Sequence, residues 1–406
     1  MEDGETMRSK RISFAAACLF AIALAGCTTE RPFPPLTLPS TARLVETPNP
    51  TSLRPDGQED SGIRQAAFKP RNVLVLSGGG VNGAYTAGVL KGWTASGTRP
   101  RFDVVTGISA GALIAPFAFL GSEYDEVLEK SVMEMRDRDV YDRRSLPAIL
   151  WSDSLADSAP LRARIATLIT PDLIEKVGKA HAEGRRLYVG TTDLDTKRQV
   201  VWDMGAIASH RDPEMIELFR TVLLASASVP GALPPVAIDV KVDGKHYTEL
   251  HVDGGVSASL FLQPAMLGMK ANCLDQHAMV DANVFVIMAG QLRPTTRPVK
   301  RWLFHVAEES IDGVLESRAE GDLLKVYLLT RFAGARFGLT AVPDDVTDDS
   351  SMMSFDQKVM RELFDRGYRF GTAGKDWLAV PPGLTPQEHL PPRGGVTFTV
   401  EQPRKT

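Results

Sequence analysis

Two short apolar runs in this chain each break into a glycine-rich turn and then into a helical pattern. Asn72-Val73-Leu74-Val75-Leu76 leads into Ser77-Gly78-Gly79-Gly80-Val81-Asn82-Gly83, after which Ala84, Ala87, Leu90 and Trp93 share one helix face. Phe102-Asp103-Val104-Val105-Thr106 leads into Gly107-Ile108-Ser109-Ala110-Gly111 and a second apolar helix from Ala110. A continuous apolar run of this length, without polar alternation, marks a strand buried on both faces. Further strands are expected at Arg186–Thr191, Gln199–Trp202 and Asn283–Ala289. Asp212-Pro213 reads as an N-cap with proline in the first turn of a helix running to about Ala225. Phe355–Phe370 reads as an amphipathic helix stopped at Gly371. Strand–helix alternation of this kind specifies an α/β layered domain with a largely parallel sheet. Functional sites in such sheets lie at the carboxyl ends of the strands, where both glycine turns fall.

Composition narrows the function classes. The chain has 406 residues, 43% of them hydrophobic and 24% charged, which excludes a fibre and wholesale disorder. Net charge is -4, so no basic field is available for nucleic acid. Mean hydropathy is -0.09, with no apolar run long enough for a polytopic membrane protein. The cysteines are Cys18, Cys27 and Cys273, with no CxxC pair, so neither a zinc cage nor a disulfide framework is on offer.

The N-terminal segment is organised differently. Arg8, Lys10 and Arg11 precede an apolar stretch from Ile12 to Leu24, which has the layout of a secretory signal. Its ending, Leu24-Ala25-Gly26-Cys27, resembles the lipobox of bacterial lipoproteins, which implies lipidation of Cys27 and a membrane-anchored protein of the bacterial envelope. Thr28 after the cysteine resembles lipoproteins sent to an outer membrane. The expected organisation is a signal peptide over 1–26, a proline-rich tether over 27–70, a core over 71–268, a C-terminal part of the same domain over 269–380, and a loose tail over 381–406.

Three motifs carry chemistry. Gly107-Ile108-Ser109-Ala110-Gly111 is a GxSxG between strand and helix, a sharp turn that exposes the Ser109 hydroxyl at a helix N-terminus. Small residues are needed at Gly107 and Gly111 because side chains there would collide with the turn. In the first turn, Gly78, Gly80 and Gly83 formally fit GxGxxG, a dinucleotide pattern that wants an acidic residue at the end of the next strand. Asp103 lies at the start of that strand instead. The competing reading makes the N–H groups of Gly78, Gly79, Gly80 and Gly83 an oxyanion hole facing Ser109. The third motif, Asp253-Gly254-Gly255, offers a closely approachable carboxylate that suits a general base.

Together, in this order and spacing, the three motifs resemble the patatin-like phospholipase family. The likeness extends through Thr191–Thr196 and Ala225–Val236, and covers roughly Asn72 to Gly268. The resemblance implies a three-layer α/β/α fold and hydrolysis of lipid acyl esters without cofactor or metal. It makes Ser109 the nucleophile and Asp253 its base, with no histidine and with oxyanion donors around Gly79 and Gly80. Two departures stand out: Asn82 occupies a position where the family usually has a basic residue, and Ser259 and Phe261 stand where an Asn-Pro pair is common. A Ser–His–Asp triad using His251 is the rival mechanism, and a lipid-binding lipoprotein without turnover is the rival function. The segment Trp302–Phe337 is expected to carry two apolar helical stretches, forming either a lid and acyl groove or a completion of the core. Asp344, Asp345, Asp348 and Asp349 lack a calcium-loop pattern and read as a solvated loop.

Overall fold

The computed structural model describes residues 69–145, 152–242, 245–269, 281–293, 303–346 and 353–384, with short pieces at 33–34, 44–45, 279 and 301. The expected signal segment, Cys27, most of the tether and most of the expected tail lie outside the described residues, as do Cys273, Asp348 and Asp349. Among the described residues, no helix is long and apolar enough to cross a membrane.

Among the described residues, eight strands build the main sheet: β1 Asn72–Leu76, β2 Val104–Ile108, β3 Arg186–Asp193, β4 Arg198–Asp203, β5 Val236–Val242, β6 Lys245–Asp253, β7 Asn283–Gln291 and β8 Arg336–Val342. A two-residue segment, Leu44–Val45, adds to the edge at β4. The order across the sheet is β4-β3-β2-β1-β7-β8, and the five strands from β3 to β8 run parallel. Strands β4 and β6 both pair antiparallel with β3, and β5 pairs with β6. The result is an α/β fold with a mostly parallel central sheet.

Both faces of the sheet are buried. Leu74 and Leu76 face one apolar core, and Val73 and Val75 face the other. The first core receives helices α1 Gly83–Ala95, α2 Ala110–Leu120, α3 Asp125–Met133, α4 Ala159–Leu168, α5 Pro171–Ala182, α6 Pro213–Ser226 and α8 Gln357–Ala373. The second receives Leu323 and Val326 of the 30-residue α7 Leu303–Phe332, together with the segment from Ala258 to Met269. A strand with no polar face requires cover on both sides, which explains the three layers.

Local chemistry sets the element ends. Asp212 caps α6 by accepting the Met215 N–H at 2.9 Å, with Pro213 in the first turn. Asp356 caps α8 by accepting from Lys358 and Val359. Gly371 does not stop that helix, which runs on to Ala373 and ends at Gly374 in a left-handed conformation. The expected pair of helical stretches between Trp302 and Phe337 is instead one long helix followed by β8, which contains Phe337. The β2 strand lies two residues later than Phe102–Thr106, because it carries Gly107 and Ile108 into the sheet.

Gly371 has a packing role. A Cβ at Gly88 or Gly92 of α1 would overlap the carbonyls of Phe364 or Tyr368, and one at Gly367 or Gly371 of α8 would overlap those of Tyr85 or Val89. Four glycines thus let two helices meet backbone to backbone, and this clamps α1, whose N-terminus follows the first glycine turn. Gly92→Leu is expected to lower the unfolding free energy by at least about 2–3 kcal/mol through overpacking. Gly313→Ala, in α7 with open space around it, should raise it by roughly 0.5–1 kcal/mol. Urea denaturation midpoints of the two variants check both signs.

Candidate active site

Strand β3 is the element that brings the chemistry together. Up to Gly190 its neighbour is β2, with Ile108 opposite Gly190. One residue further along, the neighbour becomes β6, with Asp253 opposite Thr191. Ser109 therefore leaves the end of β2 at the point where Asp253 arrives at the end of β6. Gly254 makes this junction possible, since a Cβ there would overlap the Gly190 carbonyl.

Ser109 sits on a strained turn. Its φ is 53° and ψ -123°, a positive φ that costs a non-glycine residue roughly 1–3 kcal/mol. The surroundings enforce it: Gly107 and Gly111 are packed so closely that an added Cβ would meet the backbone of Gly111 and Ser77 respectively. The Ser109 N–H donates to Ser226 Oγ at 3.0 Å, and Ser226 Oγ donates to the Gly190 carbonyl at 2.7 Å. Two residues on, the Ser228 carbonyl accepts the Asp253 N–H at 2.8 Å. One buried segment at the end of α6 thus ties down both Ser109 and Asp253. Sequence reasoning reached that segment only through family likeness and assigned no role to Ser226 or Ser228, because a buried serine has no spacing signature.

Asp253 is 5% exposed. One carboxyl oxygen accepts the Gly255 N–H at 2.7 Å, while Oδ2 is buried with no completed hydrogen bond among the described residues. Burial pushes its pKa up from 3.8 to about 6, and the Ser109 hydroxyl and the Gly255 N–H limit the rise. Ser109 is thus the side chain facing this carboxyl, although the pair falls short of full hydrogen-bond geometry. Contacts of this kind often tighten only with substrate in place.

The first glycine turn approaches the same point. The site of a Cβ on Gly78 lies 3.1 Å from Ser109 Cβ, and a Cβ on Gly79 would collide with the Ala289 carbonyl. Two of the four expected donors are already engaged. The Gly78 N–H donates to the Ser259 carbonyl at 3.1 Å, and the Gly83 N–H bonds back to the carbonyls of Gly80 and Val81. Gly79 and Gly80 have no such bond among the described residues. The dinucleotide reading fails on Asp103, which accepts the N–H groups of Arg71 and Asn72 at the opposite end of the strands.

His251 is fully buried and spent elsewhere. Its Nδ1 lies 3.0 Å from Thr191 Oγ1 and its Nε2 3.2 Å from Glu249 Oε2. Asp344 and Asp345 pair with Arg293 and Arg366. Among the described residues, no group of three or more His, Cys, Asp or Glu side chains comes together as a metal cage.

Ser109, Asp253 and the glycine turn open on a cleft of about 2280 Å³. That is larger than the roughly 300–1,000 Å³ of an ordinary small-molecule pocket. Its walls include Leu113, Ile114 and Phe117 of α2, Leu161 and Ile165 of α4, and Leu323 of α7, so the space beyond the serine is predominantly apolar.

Residues 74–266 match the family model of patatin-like phospholipases. Over 58 residues the chain is 50% identical to the cUMP-AMP-activated phospholipase of Escherichia coli, a match covering 14% of this chain and 18% of that relative's length. Similar solved structures include VipD from Legionella pneumophila, with TM-score 0.33 and 12% identity over 75% of this chain and 66% of that one. ExoU of Pseudomonas aeruginosa, solved with SpcU, has TM-score 0.36 and 13% identity over 76% of this chain and 52% of that one.

The raised pKa has a consequence for stability. The native state holds the Asp253 proton more tightly than the unfolded chain, so the penalty for ionising it is absent below 3.8 and fully present above about 6. Asp253→Asn removes the penalty. It should stabilise the fold at pH 7.5 by on the order of 2–3 kcal/mol, a gain that fades to nothing near pH 4. Equal unfolding free energies at pH 7.5 would contradict this burial.

Proposed function

We propose that the patatin-like phospholipase domain of this chain makes it a lipid acyl hydrolase working through a Ser109–Asp253 dyad. The observation that carries this reading is the change of partner along β3, which delivers Ser109 and the buried Asp253 carboxyl to one point at the mouth of an apolar cleft.

In this mechanism the ionised Asp253 accepts the Ser109 proton as Oγ attacks the ester carbonyl. The negative charge that develops on the carbonyl oxygen is held by the N–H groups of Gly79 and Gly80, and by the N-terminus of α2. Asp253 then returns the proton to the departing alcohol, leaving an acyl-Ser109. Water loses a proton to Asp253 and attacks the acyl carbonyl. The fatty acid leaves and Ser109 regains its proton. Asn82 takes no part, because the donors are backbone groups. The apolar cleft suits an acyl chain, which gains about 0.8 kcal/mol per methylene removed from water.

A triad through His251 is disfavoured because both of its ring nitrogens already have partners. A lipid-binding protein without turnover would have no use for a strained serine beside a buried carboxylate. We also assign the segment ending at Cys27 to a lipoprotein signal and the Pro-rich stretch to a tether holding residues 71–380 near an envelope membrane. Incorporation of labelled palmitate that is lost in Cys27→Ala tests the anchor.

A fluorophosphonate probe should label Ser109, and Ser109→Ala should abolish the label. Ser109→Ala and Asp253→Asn should each lower kcat at least about 10³-fold, whereas His251→Gln should retain turnover. A dead but folded His251→Gln protein would overturn the dyad. Because the base must be ionised, kcat/KM should fall about tenfold per pH unit below the Asp253 pKa of about 6. A rate that stays flat down to pH 4 would exclude Asp253 as the base.

A further inference from the structure

Helix α7 lies outside residues 74–266, yet it is linked to the glycine turn through Ser259. Asp322, on this helix, is 5% exposed and accepts the Ser259 N–H through Oδ2 at 2.9 Å. The Ser259 carbonyl in turn accepts the Gly78 N–H at 3.1 Å. Gly78 is joined directly to Gly79, the first of the two N–H groups free to face an oxyanion. On its other side the turn is held by Ser77 Oγ, which donates to the Gly78 carbonyl and accepts the Ala289 N–H, each at 2.8 Å.

We propose that Asp322 is a positioning residue for the oxyanion hole, setting Gly79 and Gly80 through Ser259 and Gly78. The inference rests on the hydrolase reading above. The coupling is mechanical, since the two bonds at Ser259 belong to different peptide groups. An ionised acceptor on a backbone N–H makes a stronger bond than a neutral one, and burial keeps water from competing for it. Lys325, 3.1 Å from Oδ1, compensates the charge, and Arg318 stands 4.0 Å from Oδ2 while donating to the Ser257 carbonyl. The residues after Asp253-Gly254-Gly255 are thereby pinned to α7 at two points. Oxyanion donors work within a window of a few tenths of an ångström. Without Asp322, the Ser259 backbone, and with it the Gly78 anchor, is free to shift by more than that.

The test compares Asp322→Leu, Asp322→Ala and Asp322→Asn on p-nitrophenyl butyrate, a soluble ester that needs no lipid surface. The Leu and Ala variants should lose about 10–100-fold in kcat with KM within about twofold, a fraction of the loss from deleting a donor outright. Asn retains an acceptor oxygen and should restore kcat to within about threefold of the parent. In all three the acid limb should stay at the Asp253 pKa of about 6, because Asp253 is not on this chain of bonds. Unchanged kcat in folded Asp322→Leu overturns the proposal. So does an acid limb that drops into the ordinary carboxylate range, which would mean a general loosening of the site. If the Leu and Ala variants do not fold, amide exchange in Asp322→Asn decides: Ser259 and Gly78 should both exchange faster, and unchanged exchange at both refutes the link. A wild-type protein without Ser109-dependent turnover would sink the hydrolase reading and this proposal with it, a result distinct from an active wild type indifferent to Asp322.

Discussion

Everything at the site depends on one strand having two neighbours in succession. Strand β3 pairs with β2 as far as Gly190 and with β6 from Thr191. Hydrogen-bond register is discrete, so a slip of one residue would turn the Asp253 side chain to the opposite face of the sheet. The separation of Ser109 and Asp253 is therefore set by the backbone ladder, with no dependence on flexible side chains. Ser226 strengthens this arrangement by bonding both to the Gly190 carbonyl and to the Ser109 N–H.

Two costs are concentrated at the same place, and each has a physical counterpart elsewhere in the molecule. The backbone of Ser109 is strained, and the Asp253 carboxyl is denied water. The close helix contact of α1 with α8 holds the rigid frame on one side of the sheet. The anchoring of the post-Asp253 segment to α7 holds it on the other. In the proposed dyad, burial of Asp253 is also what gives two residues their reach. A carboxylate with a pKa of about 6 is a better proton acceptor than one at 3.8, while it remains ionised at neutral pH.

Much of the site was legible in the sequence because its parts obey local rules. GxSxG, the glycine run and Asp-Gly-Gly sit at the ends of strands, and glycine is demanded there by close backbone approach at Gly107, Gly111 and Gly254. The same local logic misjudged Gly371, where glycine serves packing between helices, and the C-terminal stretch, where Phe337 belongs to a strand. Helical periodicity within a few residues cannot distinguish a helix stop from a glycine that accommodates a neighbouring backbone.

By itself, then, the sequence determined the layered α/β class and the two glycine turns at strand ends, while Ser109 and Asp253 stood out as candidates through their motifs and the family likeness. The class and the turns follow from propensity, burial pattern and the steric demands of tight turns, all of which act over a few residues. Only the tertiary structure decided which amides remain unbonded, that His251 is occupied by Thr191 and Glu249, and that Ser226, Ser228 and Asp322 hold the site together. Apart from Glu249, which is close to His251 in the chain, the partners in those contacts lie far apart in sequence. No local pattern encodes such contacts, because a hydrogen-bond partner is chosen by packing and register after the elements have formed.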